Sequence, residues 1–349
     1  MPSELFTGYF GDKHIQGIAL DLKNGYIYCS FTTQLVKLTM TGELVGSVVG
    51  LAAHLGCIAF NTADGKVYGS LEYKHDAIGR GLISAIGEDV ADGFYAAIFD
   101  VDRIDRVGMN AETDGVMTAV FLKEPTDDYN GLGKDKNGNP VPHKYACSGI
   151  DGTAIGPMFG QPKDSKPYLM IAYGIYGDTE RDDNDHQVIC AYDLTELATF
   201  AQPLIQRKMH HSGPQTPVGK FFVKTGNTEY GVQNLEYDPA QNVYWMAVYD
   251  GKKPAYPNYS LFAVDATVAP RRAELDGLEE TGDLLTLAPL GDADEASATR
   301  GWRFPHGTCG LFAVGDGTYY IARPHRDENG CAGYIGRYRY DGVTPFAEE

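Results

Sequence analysis

Positive charge is scarce in this 349-residue chain: 29 lysines and arginines face 47 aspartates and glutamates, for a formal net charge of −18. That balance argues against nucleic acid as a partner, because phosphate binding requires a basic surface. It still leaves room for a local basic pocket that holds an anion. No apolar run approaches the ~18 residues needed to span a bilayer, so no membrane partner is expected. Met1-Pro2-Ser3-Glu4 has neither the basic nor the apolar region of a secretion signal. Cytoplasm is the expected compartment. There is no CxxC pair among Cys29, Cys57, Cys147, Cys190, Cys309 and Cys331, and buried reduced thiols are expected. Also missing are GxSxG, HExxH, a phosphate loop and a dinucleotide fingerprint.

What the chain has in excess is 42 glycines and 23 tyrosines. Glycine supplies tight turns, and tyrosine favours strands with one wet end, so many short strands joined by turns are expected. A degenerate repeat orders them. An aliphatic strand, a polar or glycine turn and a tyrosine-rich strand occur together at 17–21 with 25–30, and again at 57–61 with 65–70. The pattern returns at 152–156 with 167–172, at 234–238 with 242–247, and at 309–313 with 317–322. Third strands follow at 34–38, 94–100, 188–193, 260–265 and 333–338. Fourth strands read at 44–48, 117–122 and 221–224, with a weaker one at 284–287.

The fifth copy has no room for a fourth strand, and the unassigned run Glu4 to Tyr9 can supply it, closing a ring and removing two exposed sheet edges. The expected fold is therefore all-β, a five-bladed β-propeller over 1–349 as one domain. A sixth or seventh blade is admissible only if insertions hide a repeat. The insertion from Pro125 to Lys144 is rich in Gly and Asn-Pro signals, which favour a long loop or an extra hairpin. The stretch 292–297 reads as a short helix or an acidic loop.

Propeller geometry places the segment before each innermost strand, and the loop between second and third strands, on one face. Side chains from all blades then converge on one mouth. Seven of the nine histidines fall in such segments: His14, His54, His75, His143, His186, His306 and His325. His54, His306, Glu72 and Asp151 are the expected catalytic groups, with acid–base work as their chemistry. Gln16, His75, Tyr176, His186, Gln233 and Tyr249 are expected to bind a small polar or sugar-like ligand. Arg303 is expected to join them, and Arg80, Arg181, Lys252 and Arg323 would meet an anionic group on the ligand. In a competing reading His54 and His306 hold a divalent metal near the axis. The leading expectation is a hydrolase or lyase, and the alternative is a non-catalytic propeller that binds a ligand or a protein.

The five Gly/Cys-Ile-Ala-like inner strands and their Tyr-rich partners resemble the five-bladed propeller superfamily, which includes calcium-dependent nucleotidases and several glycoside hydrolases. The resemblance spans nearly the whole chain. Those nucleotidases place acidic residues at inner-strand starts, where this chain mostly has Gln, His or Gly, so nucleotide hydrolysis is not implied. The run Gly11-Asp12-Lys13-His14-Ile15-Gln16-Gly17 and Asp185-His186-Gln187-Val188 are similar to uncharacterised bacterial propeller proteins, which implies no activity.

Overall fold

A computed structural model describes residues 2–87 and 90–349. Each repeat forms an antiparallel sheet, because apolar residues alternating with small or polar ones suit a pleated strand with two distinct faces. Blade 1 runs Ile15–Asp21, Tyr26–Phe31, Gln34–Thr39 and Leu44–Val49, and Met109–Asn110 adds a parallel edge. Blade 2 is His54–Asn61, Lys66–Tyr73, Gly93–Phe99 and Met117–Phe121. Blade 3 is Cys147–Pro157, Pro167–Ile175, His186–Asp193 and Gly219–Lys224. Blade 4 has Glu229–Asp238, Val243–Tyr249 and Leu261–Asp265. Blade 5 has Leu311–Ala313, Thr318–Asp327 and Gly330–Tyr340.

The five innermost strands pack in chain order around an axis, and Leu311–Ala313 of blade 5 returns to Ile15–Asp21 of blade 1. The outer edge of blade 5 is shared by both ends of the chain. Glu4–Phe6 pairs antiparallel with 334–336, and Phe346–Glu348 pairs with 338–340 on the same strand. Five hydrophobic clusters fill the five seams between consecutive blades. The seam between blades 1 and 2 holds Tyr28, Leu35, Leu55, Leu71 and Tyr73, all fully buried. Burying each such side chain is worth roughly 1.5–3 kcal/mol, so the seams are what hold the blades in a ring.

Near the axis the inner strands approach so closely that only small residues fit. A Cβ on Gly17 would lie 2.9 Å from the Cα of Cys57. Below the mouth Asn234 closes the axis. Its amide donates to the carbonyls of Gln16 (3.0 Å) and Thr308 (3.1 Å), and its side-chain oxygen accepts from the Cys57 thiol (3.2 Å). One side chain thus ties blades 1, 2, 4 and 5.

Three local expectations are revised. The run 284–287 divides between two blades. Thr281–Leu284 joins blade 3, parallel to Gly219–Lys224, whereas 286–288 bonds to the edge of blade 4 through Asp265 and Ala263. The insertion after blade 2 holds a helix, Lys123–Asn130, as well as a hairpin, Leu132–Lys134 with Pro140–Pro142. The 292–297 stretch is neither helix nor plain loop: Asp292–Asp294 pairs with Thr299–Gly301 as a short hairpin. All six cysteines are buried and free. Among the described residues no helix is long and apolar enough to cross a membrane.

Candidate functional site

The upper ends of four innermost strands carry register shifts at the same level: between Ile15 and Gly17, Leu55 and Ile58, Ile150 and Thr153, and Val232 and Asn234. A bulge of this kind re-aims a side chain out of the ladder. Here the shifted positions include Gln16, Asp151 and Gln233, and all three line a cavity of about 410 Å³ at the mouth of the axis. His54, the first residue of the blade 2 inner strand, is the cross-strand partner of Glu72. On that second strand the two-residue period sends Leu71 and Tyr73 into the core seam. Glu72, and Lys74 immediately after the strand, point the other way.

The result is a buried charge cluster at the cavity floor, where His54, Lys74 and Asp151 line the cavity and Glu72 lies beneath them. Nδ1 of His54 stands 3.4 Å from Oε2 of Glu72 and 3.4 Å from Oδ1 of Asp151. Lys74 pairs with Glu72 at 2.8 Å, donates to the Ser148 carbonyl at 2.7 Å and reaches Asp76 at 3.5 Å. The backbone N–H of Ile150 donates to Oε1 of Glu72. Gln233 donates to Oδ2 of Asp151 at 3.2 Å and to the Tyr230 carbonyl at 2.9 Å. Glu72 is 1% exposed and Asp151 7%, so neither carboxylate has bulk water to solvate it.

The charges sort themselves by partner. Burial alone would raise the Glu72 carboxyl, but the Lys74 ammonium and His54 override it and hold the group below the usual carboxylate range. For Asp151, burial and the neighbouring Glu72 charge win, pushing it up to about 6. Burial works against both cations too. The carboxylates outweigh it, so that His54 is raised by Asp151 and Glu72, and Lys74 by Glu72, Asp76 and Asp151. His14, also on the cavity wall, is lowered by burial and then by His54.

Around this floor Gln16 donates to the Thr32 hydroxyl at 3.0 Å, and the rings of Tyr230 and Tyr249 meet edge to face at 6.2 Å. Those two tyrosines also line an adjoining groove of about 690 Å³ that carries Lys252 and Arg303. Lys252 is paired with Glu229 at 3.0 Å, and Arg303 donates to the Pro257 carbonyl at 2.8 Å. His75 stands 2.8 Å from Asp92, and Tyr176 donates to Asp76 at 3.1 Å from behind the Lys74 cluster. Arg80 is exposed on the short helix Gly79–Ile83, whose Gly81 and Leu82 border the cavity.

Four expected site residues serve other ends. Arg181 is buried and spans Asp183 with two 2.8 Å bonds while donating to the Pro142 and His143 carbonyls, so it clamps the insertion hairpin. His186 is 2% exposed inside blade 3, away from the mouth. Arg323 ties Glu4 and Glu348, the two end strands of blade 5. His306 lines a separate groove with Trp302 and Phe346. The geometry therefore groups His54 with Glu72 and Asp151 in place of His306. Lys74 and Thr32 complete the floor. The alternation Glu72-Tyr73-Lys74 was a signal for the first, whereas nothing in the sequence pointed to Thr32.

Fold and mouth together define a five-bladed β-propeller with a polar axial cavity. No family model matches the chain, and no curated protein matches it. Among solved structures it is similar to a GH43 β-1,3-galactosidase with galactodeoxynojirimycin, at 12% identity over 99% of both chains and a TM-score of 0.44. It is also similar to a family AA12 carbohydrate-active enzyme of Trichoderma reesei, at 11% identity over 91% of this chain and 80% of that one, with a TM-score of 0.39. A gluconolactonase from Xanthomonas campestris gives 9% identity, 94% and 88% coverage and a TM-score of 0.33.

Proposed function

We propose that the protein is an enzyme of the hydrolase or lyase type, acting on a small polar, carbohydrate-like substrate in the axial cavity. The observation that supports this is the convergence of His54, Asp151 and Lys74 on the floor of a cavity of ligand size, with Glu72 buried against all three. Burying charged groups costs several kcal/mol each even when they are paired. A propeller that needed only a filled axis would use apolar side chains, as its five seams do. Buried, ion-paired titratable groups in a cleft are the arrangement that acid–base and electrostatic catalysis require.

Each wall has a part in this reading. Tyr230 and Tyr249 offer ring faces and edges to a sugar-like ring, while Gln16, Gln233 and Thr32 offer donors and acceptors to its hydroxyls. The floor supplies charge against which a proton is drawn from water or substrate, or a leaving oxygen is stabilised.

The test is a panel of glycosides, lactones, uronates and small esters assayed with the unmodified protein and with Glu72→Gln, Asp151→Asn and Arg323→Ala. A substrate whose kcat falls by about 100-fold or more in the first two variants, and stays unchanged in the third, supports the reading. Turnover that survives both cavity substitutions overturns it. So does a panel in which sugars bind at the mouth and none is converted, which identifies a binding module.

A further inference from the structure

The three groups share a feature that acid–base chemistry leaves unexplained. Nδ1 of His54 and Oδ1 of Asp151 are buried with no hydrogen-bond partner, and the Glu72 atom nearest Nδ1, Oε2, has its ion pair with Lys74 at 2.8 Å. These are the atoms that face one another, all within 4.8 Å. The remaining oxygen of each acid is held by the protein, Oε1 by the Ile150 N–H and Oδ2 by the Gln233 amide. Asp151 is thus anchored by one oxygen and presents the other to a point it shares with Nδ1 of His54, while Oε2 of Glu72 reaches the same point with Lys74 on its flank. An unsatisfied buried polar atom costs about 1–3 kcal/mol, and two facing each other beside a third carboxylate oxygen mark something that binds there.

We infer that His54, Glu72 and Asp151 form a binding site for one first-row divalent metal ion, with its open coordination position facing the axial cavity. The distances carry the argument. Ligand bonds of about 2.0–2.1 Å in a tetrahedral arrangement place neighbouring donor atoms about 3.3–3.4 Å apart. The two distances from Nδ1 are both 3.4 Å, too long for a hydrogen bond and the right length for an edge of a coordination polyhedron. One imidazole and two carboxylates suit Zn²⁺ or Mn²⁺; Mg²⁺ prefers an all-oxygen set with several waters. Three protein ligands leave a fourth position, the mark of a catalytic rather than a structural site.

The surroundings fit the same assignment. Lys74, anchored by the Ser148 carbonyl and Asp76, pairs with Oε2 of Glu72 at 2.8 Å and offsets carboxylate charge, leaving that oxygen's second lone pair for the ion. The bonds from Ile150 and Gln233 orient the two carboxylates, as outer partners do around bound metals. Coordination through Nδ1 requires the His54 proton on Nε2. A bound ion would polarise a substrate oxygen or lower the pKa of a bound water. This deepens the hydrolase or lyase reading, and its test is independent of turnover.

The protein is stripped with a chelator and titrated with Zn²⁺ and with Mn²⁺, with Mg²⁺ as a comparison. Heat of binding, metal content after gel filtration and the shift in thermal midpoint are read. The expectation is one Zn²⁺ or Mn²⁺ per chain and a raised midpoint. His54→Ala, Glu72→Gln and Asp151→Asn should each lower affinity roughly 100-fold or more, whereas His306→Ala and His75→Ala leave it unchanged. Circular dichroism of the metal-free variants checks that they fold. Should a ligand substitution unfold the chain, Gln233→Ala, which only frees Asp151, is expected to weaken binding about 10-fold. Less than one ion per chain at saturation, or equal affinity across all variants, overturns the inference. Turnover on the panel by a protein that binds no metal overturns it while the enzymatic reading stands; stoichiometric metal without turnover on the panel does the reverse.

Discussion

Gly149 makes room for Glu72. Its φ of 140° and its lack of a side chain let the Glu72 carboxylate lie against the backbone of blade 3, where an added methyl group would overlap Oε1. The next residue, Ile150, then donates its N–H to that oxygen. A carboxylate from blade 2 is therefore seated on the inner strand of blade 3, and a glycine is the condition for it. Gly149→Ala is expected to cost about 2–4 kcal/mol, from backbone strain and from a displaced, desolvated carboxylate. Urea denaturation checks the stability, and loss of ligand binding at the mouth checks the displacement.

Lys74 is the counterion that makes this burial tolerable. Its side chain is 7% exposed and that of Glu72 fully buried, at 2.8 Å. Lys74→Met keeps the aliphatic stem and leaves Glu72 and Asp76 without their cation. Removing one partner of a buried pair typically costs about 3–5 kcal/mol. Adding Glu72→Gln removes the orphaned charge, and the double variant is expected to regain about half of the loss. A double-mutant cycle by chemical denaturation in the presence of chelator measures this. Additive losses would show that the two side chains do not interact.

Much of the ring was legible in the sequence because close packing at the axis demands small residues at a fixed place in most repeats, with Asn234 standing there in the fourth. Gly17, Cys57 and Gly152 are such positions, each followed by aliphatic residues that fill the seams. The segment around Leu5 was legible because blade 5 lacked an outer strand. Direction at the mouth was harder. Gln16, Asp151 and Gln233 lie in bulged stretches, and a two-residue period does not foresee a bulge. Asp185 and His186 differ by one residue and so face opposite sides of a strand: Asp185 pairs with Lys253 at 2.5 Å, while His186 is buried within blade 3. Arg181 was misread because an arginine that clamps a hairpin and one that awaits a ligand are alike until Asp183 is seen beside it. The run 284–287 has too few residues to declare which sheet edge it joins.

His186 has a consequence for acid stability. Burial pulls its imidazole down to about 4, from an unfolded value near 6.5. The folded state therefore binds fewer protons than the unfolded chain between these limits, and stability rises with pH across the window. The contribution is fully present above pH 6.5 and is lost as pH falls toward 4, a difference of about 3 kcal/mol at 1.36 kcal/mol per unit. Denaturation midpoints at pH 7 and pH 4.5 should differ less in His186→Gln than in the unmodified protein. An unchanged difference would mean that the imidazole does not stay neutral in the fold.

Closure of blade 5 separates a core contact from a surface pair at one joint. Leu5 is 3% exposed and sits with Ile15, Ile18 and Ile335 in the seam between blades 5 and 1. Arg323 reaches Glu4 and Glu348 at the rim of the same joint, where the carboxylates are half exposed. Truncating a buried leucine typically costs about 2–5 kcal/mol, whereas an exposed ion pair contributes about 0–1 kcal/mol. Leu5→Ala is accordingly expected to lower stability several times more than Arg323→Ala, and the Arg323 effect should fade in high salt. Neither substitution touches the axial cavity, so ligand affinity at 25 °C should match that of the unmodified protein in both. Thermal denaturation at low and high salt, with a binding isotherm for each variant, tests the three expectations together. If Arg323→Ala proved the costlier change, the joint would be held by charge and not by the apolar seam.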